Sequence, residues 1–492
     1  MRRSLSFLQL LPWLITSLLG CGPAEIETEA GPQPSAEVSG RQFAEEISTA
    51  TQMMYCPTVA TNISYNKELF ISDSTTLTDP CLTKGAMCTG KEMLKLKWNF
   101  LYLMRQIAGG PTLTDGQVAE FVLNWLYKYV DSLSVNGQKL ENRTKILDLV
   151  IKPWRLNSGC TADRKDPCPT LNAEWAPFRL LAVVNRMDVR SVTGSSYGSG
   201  AAGEGRLIFG FLYIDPAGVE KALPGTVILE YELPSRSIID TVNWAERWHD
   251  LGTSTLGTEN YKLKLQAITE KFVASGVRSK GEFNNGSALM RLRTGEHAFA
   301  DPAAPIAYHE FREFQLQCAT GDAGCLASRT GAQLMPVTTG LTPVSQYQTD
   351  GTARGKLATM LDGQSSAVLA ERHEIPADFL GGAAQIEIKS DAFRWTPMTA
   401  KPDVRRLFAF STCTGCHFRE TQNGKDDNLL TGFFIDPETR MLNGFMSNQI
   451  KVKDVTGVEF LYNEPLRRKC EFEYLLKSAS RTPFTAASGR PH

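Results

Sequence analysis

The sequence has 492 residues, of which 42% are hydrophobic and 21% are charged, as in an ordinary soluble globular protein. The formal net charge is -1 at pH 7, because 52 Lys and Arg residues nearly balance 53 Asp and Glu residues. The chain therefore lacks the basic excess that binds a polyphosphate backbone, which argues against a nucleic-acid partner.

The N-terminal segment is typical of an export signal. Arg2 and Arg3 precede an apolar stretch at 5–19, which has the length of a signal h-region and is shorter than the roughly 20 residues that span a bilayer. The stretch ends in LLGC, which resembles the lipobox of bacterial lipoproteins. That resemblance implies lipid on the Cys21 sulfur and a cleaved signal peptide at 1–21. The alternative is an ordinary secretory signal with a chance cysteine.

Residues 22–44 are predicted to form a flexible tether, because the first part of this segment is rich in Pro, Gly, Ala, Ser and Glu. Gly22 follows the cysteine, where an Asp would resemble an inner-membrane retention signal. We therefore expect a protein of the cell envelope that is anchored to a membrane by its N-terminal lipid. The outer membrane, facing the periplasm or the surface, is the expected location if the source has two membranes.

Hydrophobic periodicity predicts an α+β body over residues 45–395, as one domain or two. The predicted elements in chain order are helices at 91–108 and 116–132 (with Asp115 as cap), strands at 178–189, 206–214 and 225–233, helices at 241–250 and 260–274, and a strand at 383–388. A GxGxxG match at 198–203 follows a strand, but the next segment is predicted as another strand. A dinucleotide site needs a helix there, so we expect a loop.

Three clusters in the body have both a structural and a functional interpretation. Residues 243–250 (NWAERWHD) could line a sugar or second-haem pocket, although a buried helix face is the expected role. Residues 185–188 (NRMD) follow a strand and could be catalytic or form a turn with a local ion pair. Residues 309–313 (HEFRE) are predicted as a solvated or salt-bridged helix.

The most informative segment is 405–417, RRLFAFSTCTGCH, in which Cys413, Cys416 and His417 form a CxxCH pattern. Two cysteines three residues apart on a helical turn can each form a thioether to one vinyl group of the same porphyrin. The next histidine can then present its imidazole to the iron. The composition predicts roughly 0.003 chance matches to this pattern.

The segment resembles the first helix of class I cytochromes c over about residues 400–480, and the match is specific only at CTGCH. The resemblance implies covalently attached haem c, with Cys413 and Cys416 as thioether anchors and His417 as proximal ligand. It also implies a small, mostly α, cytochrome c-like domain at 396–485. Phe408 or Phe410 would stand near the aromatic position of that family, with the register off by one. The body is loosely similar to uncharacterised exported bacterial proteins that end in such a motif.

The sixth iron ligand is left open by the sequence. Met446 is preferred to Met441 because it lies later, in a loop that contains Gly and Asn. His373, His492 or an open position are the alternatives. A methionine ligand favours electron transfer, whereas an open position favours small-ligand binding or peroxide chemistry.

The eleven cysteines divide into three with assigned roles and eight that remain for disulfides in an exported protein. Short spacings suggest three local pairs, and the remaining two cysteines could join the ends of the body. The expected pairs are Cys81–Cys88, Cys160–Cys168, Cys318–Cys325 and Cys56–Cys470.

Three functions are compatible with these features. The first is a monohaem electron-transfer lipoprotein that meets a redox partner protein of the envelope. The second is a haem enzyme or a redox or gas sensor with an open iron site, and the third is a haem-free binding protein with a CxxC redox pair. The sequence shows no HExxH or Walker pattern that would indicate an enzyme.

Overall fold

A computed structural model describes residues 61–84, 96–190, 202–235, 237–278, 285–297, 299, 308–318, 325, 331–370, 373–387, 395, 401–421, 432–453 and 459–477. The predictions for the signal peptide, Cys21, the tether and His492 lie outside these residues. All of the described residues belong to one compact unit within residues 51–492. None of the helices in these ranges is long and apolar enough to cross a membrane.

The centre of the molecule is an antiparallel sheet of eight strands, in the order β1-β2-β3-β4-β5-β6-β8, with β7 also paired to β6. These strands are β1 (Phe70–Ile71), β2 (Phe178–Arg186), β3 (Glu204–Ile214), β4 (Glu220–Glu232), β5 (Leu289–Glu296), β6 (Tyr308–Cys318), β7 (Ala332–Val337) and β8 (Ala384–Glu387). Strands β2 to β6 neighbour each other in chain order, so the sheet is a meander. Two small hairpins stand apart, Ser134–Val135 with Gln138–Lys139 and β9 (Gln449–Lys453) with β10 (Glu459–Asn463).

The helices of eight or more residues in the described ranges are α1 (Phe100–Ala108), α2 (Asp115–Tyr127), α3 (Ile238–Asp250), α4 (Glu259–Val273), α5 (Gly351–Gly363), α6 (Pro402–Ser411) and α7 (Glu464–Lys477). Shorter helical segments lie at Tyr65–Leu69, Ser74–Leu77, Pro80–Thr83, Leu147–Ile151, Lys152–Asn157, Ala173–Trp175, Met187–Val189, Leu251–Thr253, Gln346–Thr349, Ser365–Leu369, Ala377–Phe379, Gly415–Arg419 and Gly444–Ser447. Helices and antiparallel strands occur together, so the α+β class is confirmed.

Helices α1 and α2 each begin directly after the residue whose side chain caps them. Their capping residues correct the expected start of α1 and the expected cap of α2. Helix α1 begins at Phe100, later than the expected start at 91, because the Asn99 side chain accepts hydrogen bonds from the next turn. Helix α2 is capped by Thr114, in a capping box with Gln117, whereas Asp115 is its first helical residue. The expected strands in β2, β3, β4 and β8 and the helices α3 and α4 are confirmed within a few residues.

The prediction of a helix at 309–313 is wrong, because these residues lie in β6. Their side chains alternate between two buried faces of the sheet, and the period of two is hidden by the presence of charges on both faces. Glu310 and Arg312 form a buried ion pair with each other. Burial of such charges requires pairing, and that pairing is what makes a charged central strand possible here.

Each face of the sheet is covered by a different part of the chain. Helices α1 to α4 pack on one face and form the largest core with the apolar side chains of β2 to β6. The opposite face is covered by C-terminal segments, and a second cluster joins β2 and β3 to Phe410, Met446 and hairpin β9–β10. Helix α7 contributes Phe472 and Leu475 to the large core. Residues 396–485, the expected haem domain, therefore share apolar clusters with the body in their described part.

Two of the expected disulfides are formed, Cys160–Cys168 and Cys318–Cys325. Cys81 and Cys470 are also disulfide-bonded. Their expected partners, Cys88 and Cys56, lie outside the described residues.

Candidate functional site

The CxxCH residues lie on a short helical turn that follows α6 directly. The chain becomes extended at Thr412, where φ is -94° and ψ is 149°, so α6 ends at Ser411. The Thr412 hydroxyl accepts a hydrogen bond from the Gly415 amide at 3.0 Å, which caps the new turn. The helical turn then runs through Gly415–Arg419. Cys413 and Cys416 are three residues apart here, and their side chains pack in two different apolar clusters.

Contacts from outside hold this turn in place. The Trp395 indole nitrogen lies 2.8 Å and 3.0 Å from the hydroxyl oxygens of Thr412 and Thr414 and donates to both. The Cys413 amide donates to the Thr342 hydroxyl at 2.8 Å. These hydrogen bonds are buried, and they fix the backbone on both sides of the first cysteine.

The two thiols are buried, with exposed fractions of 3% for Cys413 and 1% for Cys416, and neither is in a disulfide. Burial raises the pKa of the Cys413 thiol to about 11. The thiol is therefore protonated at neutral pH. A redox-active dithiol requires the opposite shift, because the thiolate is the nucleophile in disulfide exchange.

His417 is held in one tautomer by the backbone. Burial lowers the pKa of its imidazole to about 4, so the ring is neutral at pH 7. Its Nδ1 lies 2.6 Å from the Gly432 carbonyl oxygen. A carbonyl can only accept, so Nδ1 carries the proton and Nε2 carries the lone pair. Metal-binding histidines are commonly oriented by a hydrogen bond of this kind.

Two aromatic rings fix the plane of the His417 imidazole. Phe434 stacks on it with ring centroids 4.2 Å apart and an interplanar angle of 23°. The Phe311 ring of β6 lies 4.6 Å away, tilted by 47°. The imidazole is thus oriented before any ligand arrives.

A narrow cavity of about 70 Å³ lies between this turn and the sheet. Cys413, His417 and Met446 all line it, although they belong to different segments of the C-terminal region. Cys416 is packed with Phe410 and Met446 in the adjoining apolar cluster.

The structure separates the other ligand candidates. Met446 is 1% exposed and follows an Asn443 cap, whereas Met441 is 70% exposed. His373 is buried beside Phe408, with ring centroids 5.9 Å apart, and is not among the residues that line the cavity. Phe410 lies in the cluster with Cys416 and Met446, and Phe408 lies in a separate cluster with Trp395.

The cavity floor carries a charged ladder that sequence reasoning missed. Glu230 lies 3.2 Å from both Arg206 and Arg293, and Arg293 lies 3.4 Å from Glu313. Arg206 pairs with Glu230 across β3 and β4, and Arg293 pairs with Glu313 across β5 and β6. The cavity thus has an apolar roof and a polar floor. His309 of β6 also lines it.

The other two clusters singled out in the sequence have structural roles. Trp244 and Trp248 are buried on α3, as expected for a helix face, and His249 contacts the buried Glu68 carboxylate at 2.8 Å. Arg186 and Asp188 form the expected ion pair at the end of β2, with 2.9 Å between Nε and Oδ1. Arg186 also lines the cavity. At 198–203 only Ala202 and Gly203 are described, and strand β3 follows them directly.

Comparisons with family models, curated proteins and solved structures found no match to this chain. Within the described ranges, no group of three or more His, Cys, Asp or Glu side chains is placed to hold a metal ion. The chemistry of the site therefore has to be argued from its own residues.

Proposed function

We propose that the chain is an exported monohaem c-type cytochrome lipoprotein that transfers electrons in the cell envelope. The observation that carries this proposal is that Cys413, His417 and Met446 line one cavity. In addition, Nδ1 of His417 donates a hydrogen bond to a backbone carbonyl, which leaves Nε2 able to bind a metal. A class I cytochrome c holds its haem with these residue types: cysteines attach the porphyrin, and a histidine and a methionine bind the iron. Export and lipid on Cys21 are part of this proposal, and the N-terminal sequence pattern supports them.

The residues present fit covalently bound haem. Cys413 and Cys416 would form the two thioethers, His417 would bind the iron through Nε2, and Met446 would be the sixth ligand. When bound, haem supplies a one-electron couple whose potential depends on its axial ligands and on the polarity of its surroundings. Phe311 and Phe434 orient the imidazole and keep water from that side.

The haem-free dithiol is supported less well. Burial raises the pKa of Cys413 to about 11, so little thiolate is present at neutral pH. The cysteines also sit beneath other side chains, where a partner disulfide could not reach them. A methionine in the cavity wall likewise favours electron transfer over an open iron site.

The direct test is the mature protein, expressed with an export signal and the haem-attachment machinery. We expect an intact mass that exceeds the lipidated polypeptide by one haem, and haem-dependent peroxidase staining that survives a denaturing gel. A mature protein with only the mass of polypeptide and lipid would refute the proposal.

Met446→Ala should change the ferric spectrum, whereas Met441→Ala should not. Met446 is buried in the cavity wall and Met441 is exposed, so the two substitutions remove the same group from different places. We expect loss of the weak red band that methionine ligation gives ferric haem, a lower midpoint potential, and carbon monoxide binding by the reduced protein. An unchanged spectrum in the Met446 variant would exclude Met446 as the ligand.

A further inference from the structure

The end of the cavity near the C-terminus of β2 carries a surplus of positive charge. Asp188 pairs with both Arg186 and Arg467, at 2.9 Å and 2.6 Å. Glu464 pairs with both Arg467 and Arg468, at 2.7 Å in each case. Two carboxylates are thus shared among three guanidinium groups, and all five side chains are buried. Among the described residues of this cluster, the guanidinium groups thus outnumber the carboxylates by one.

The charged residues on the cavity floor do not neutralise this surplus. Arg206, Arg293 and Arg291 pair with Glu204, Glu230 and Glu313, in equal numbers. Within the part of the chain that the structure describes, the surplus therefore lies at the cluster of Arg186, Arg467 and Arg468. Burial, together with the positive charges of Arg468 and Arg206, lowers the pKa of Arg186 to about 10.

Two buried donors at this end have no hydrogen-bond acceptor among the described residues, Nη1 of Arg468 and Oη of Tyr65. Arg468 lies close enough to Tyr65 to oppose the rise in the phenol's pKa, which burial takes to about 12. Buried polar groups are nearly always hydrogen-bonded, and those without partners commonly mark a missing ion or ligand. Arg468 and Arg186 line the cavity, and Tyr65 does not line it but stacks on the lining residue Phe70, with ring centroids 6.2 Å apart.

We propose that Arg468, Arg186 and Tyr65 form a subsite that binds one carboxylate group at this end of the cavity. A single negative charge matches the single surplus cation, and a planar pair of oxygens matches one edge of a guanidinium. A phosphate would bring further negative charge that these residues do not balance. The guanidinium groups are already oriented by Asp188 and Glu464, so binding requires little rearrangement.

Two sources could supply this carboxylate, a propionate side chain of covalently bound haem c or a free short-chain carboxylic acid. The first source rests on the proposed function and the second does not. The informative variant is Arg468→Gln, because Asp188 and Glu464 keep Arg186 and Arg467 as partners and the charges then balance. The matched control is Arg293→Gln, which removes the same charge from the cavity floor and leaves Glu230 and Glu313 with Arg206 and Arg291.

The first arm measures the midpoint potential of the holoprotein against pH. If a propionate is bound, loss of Arg468 raises the propionate pKa, and the pH-dependent step in the potential moves to higher pH. Arg293→Gln should lower the potential, since it removes a nearby positive charge, without moving that step. Tyr65→Phe removes only a hydroxyl, so it should move the pH-dependent step in the potential to higher pH by a smaller amount than Arg468→Gln does. This second variant tests the proposal if the Arg468 variant does not fold.

The second arm uses the full chain, whether or not haem is attached, and measures its thermal unfolding midpoint in sodium acetate and in sodium chloride at equal ionic strength. If a free acid is bound, acetate raises the midpoint of the unaltered protein, and Arg468→Gln weakens acetate binding by about tenfold or more.

Acetate stabilisation without attached haem would support the subsite while refuting the proposed cytochrome. Attached haem with no displaced step in either variant and no acetate effect would overturn the subsite and leave the cytochrome standing.

Discussion

Cys413→Ala with Cys416→Ala is expected to abolish covalent haem attachment, leaving no peroxidase stain on a denaturing gel and a mature mass without the cofactor. The two cysteines are three residues apart at a capped turn, and each would supply one thioether. Alanine is the better replacement, because serine would bury an unpaired hydroxyl at sites that are 3% and 1% exposed.

The single variants separate attachment from folding. Either cysteine alone can still form one thioether, so each single variant should keep a covalent haem in lower yield. Cys160→Ala with Cys168→Ala is the matched control, since it also removes two sulfurs but breaks a disulfide remote in sequence from the turn. It should cost stability, about 2–4 kcal/mol for a typical disulfide, and keep the stain. Staining that persists when both Cys413 and Cys416 are replaced would contradict the assignment.

Local patterns in the sequence predicted the elements that depend on local physics. Strand β3 is apolar and rich in large side chains, and its bounds differ from the expected 206–214 by two residues at the start. The pattern EPLRRKCEFEYLLK at 464–477 predicts a helix, and helix α7 spans these residues. The loop argument that preferred Met446 to Met441 agrees with their burial, because the Asn443 cap turns Met446 inward. These features are set by residues within one or two turns of each other.

The features that sequence reasoning missed depend on partners far along the chain. Residues 309–313 look solvent-exposed because they carry three charges, but the groups that neutralise them come from Arg143, β5 and Arg312 itself. The surplus charge beside the cavity needs Arg186 and Arg468, which are nearly 300 residues apart, to be counted together. Local spacing in the sequence does not show the net charge of this cluster, because the charge depends on how the strands and α7 pack together.

Arg143→Met should lower the free energy of unfolding by about 3–5 kcal/mol at pH 7, because it leaves buried carboxylates without their cation. Arg143 bonds to Glu296 and lies 2.7 Å from Glu310, and all three side chains are at most 5% exposed. Glu310 keeps Arg312 as a partner, whereas Glu296 loses the ion pair that it forms with Arg143. The midpoint of urea unfolding, followed by circular dichroism, measures the loss.

The same substitution should make stability depend on pH in a defined direction. Burial already raises the pKa of Glu296 above its ordinary value, and removal of Arg143 raises it further. Burial opposes ionisation of Glu310 as well, but Arg312 and Arg143 hold its pKa low, and part of that effect is lost. The folded variant therefore binds more protons than the unfolded chain above the ordinary glutamate pKa, so its stability falls as pH rises and the loss is smaller at pH 5 than at pH 7.

Arg164→Met is the control for this prediction, because Arg164 pairs with Asp131 at 2.6 Å while their side chains are 43% and 38% exposed. Solvent screens such a pair, and with the contact to the Tyr127 ring included we expect a loss of at most about 2 kcal/mol. That loss should be similar at pH 5 and pH 7, because no buried carboxylate is left behind. If the two variants lose the same stability, or if Arg143→Met is the less stable at pH 5, then the Glu296 and Glu310 carboxylates are not held in the folded state by Arg143.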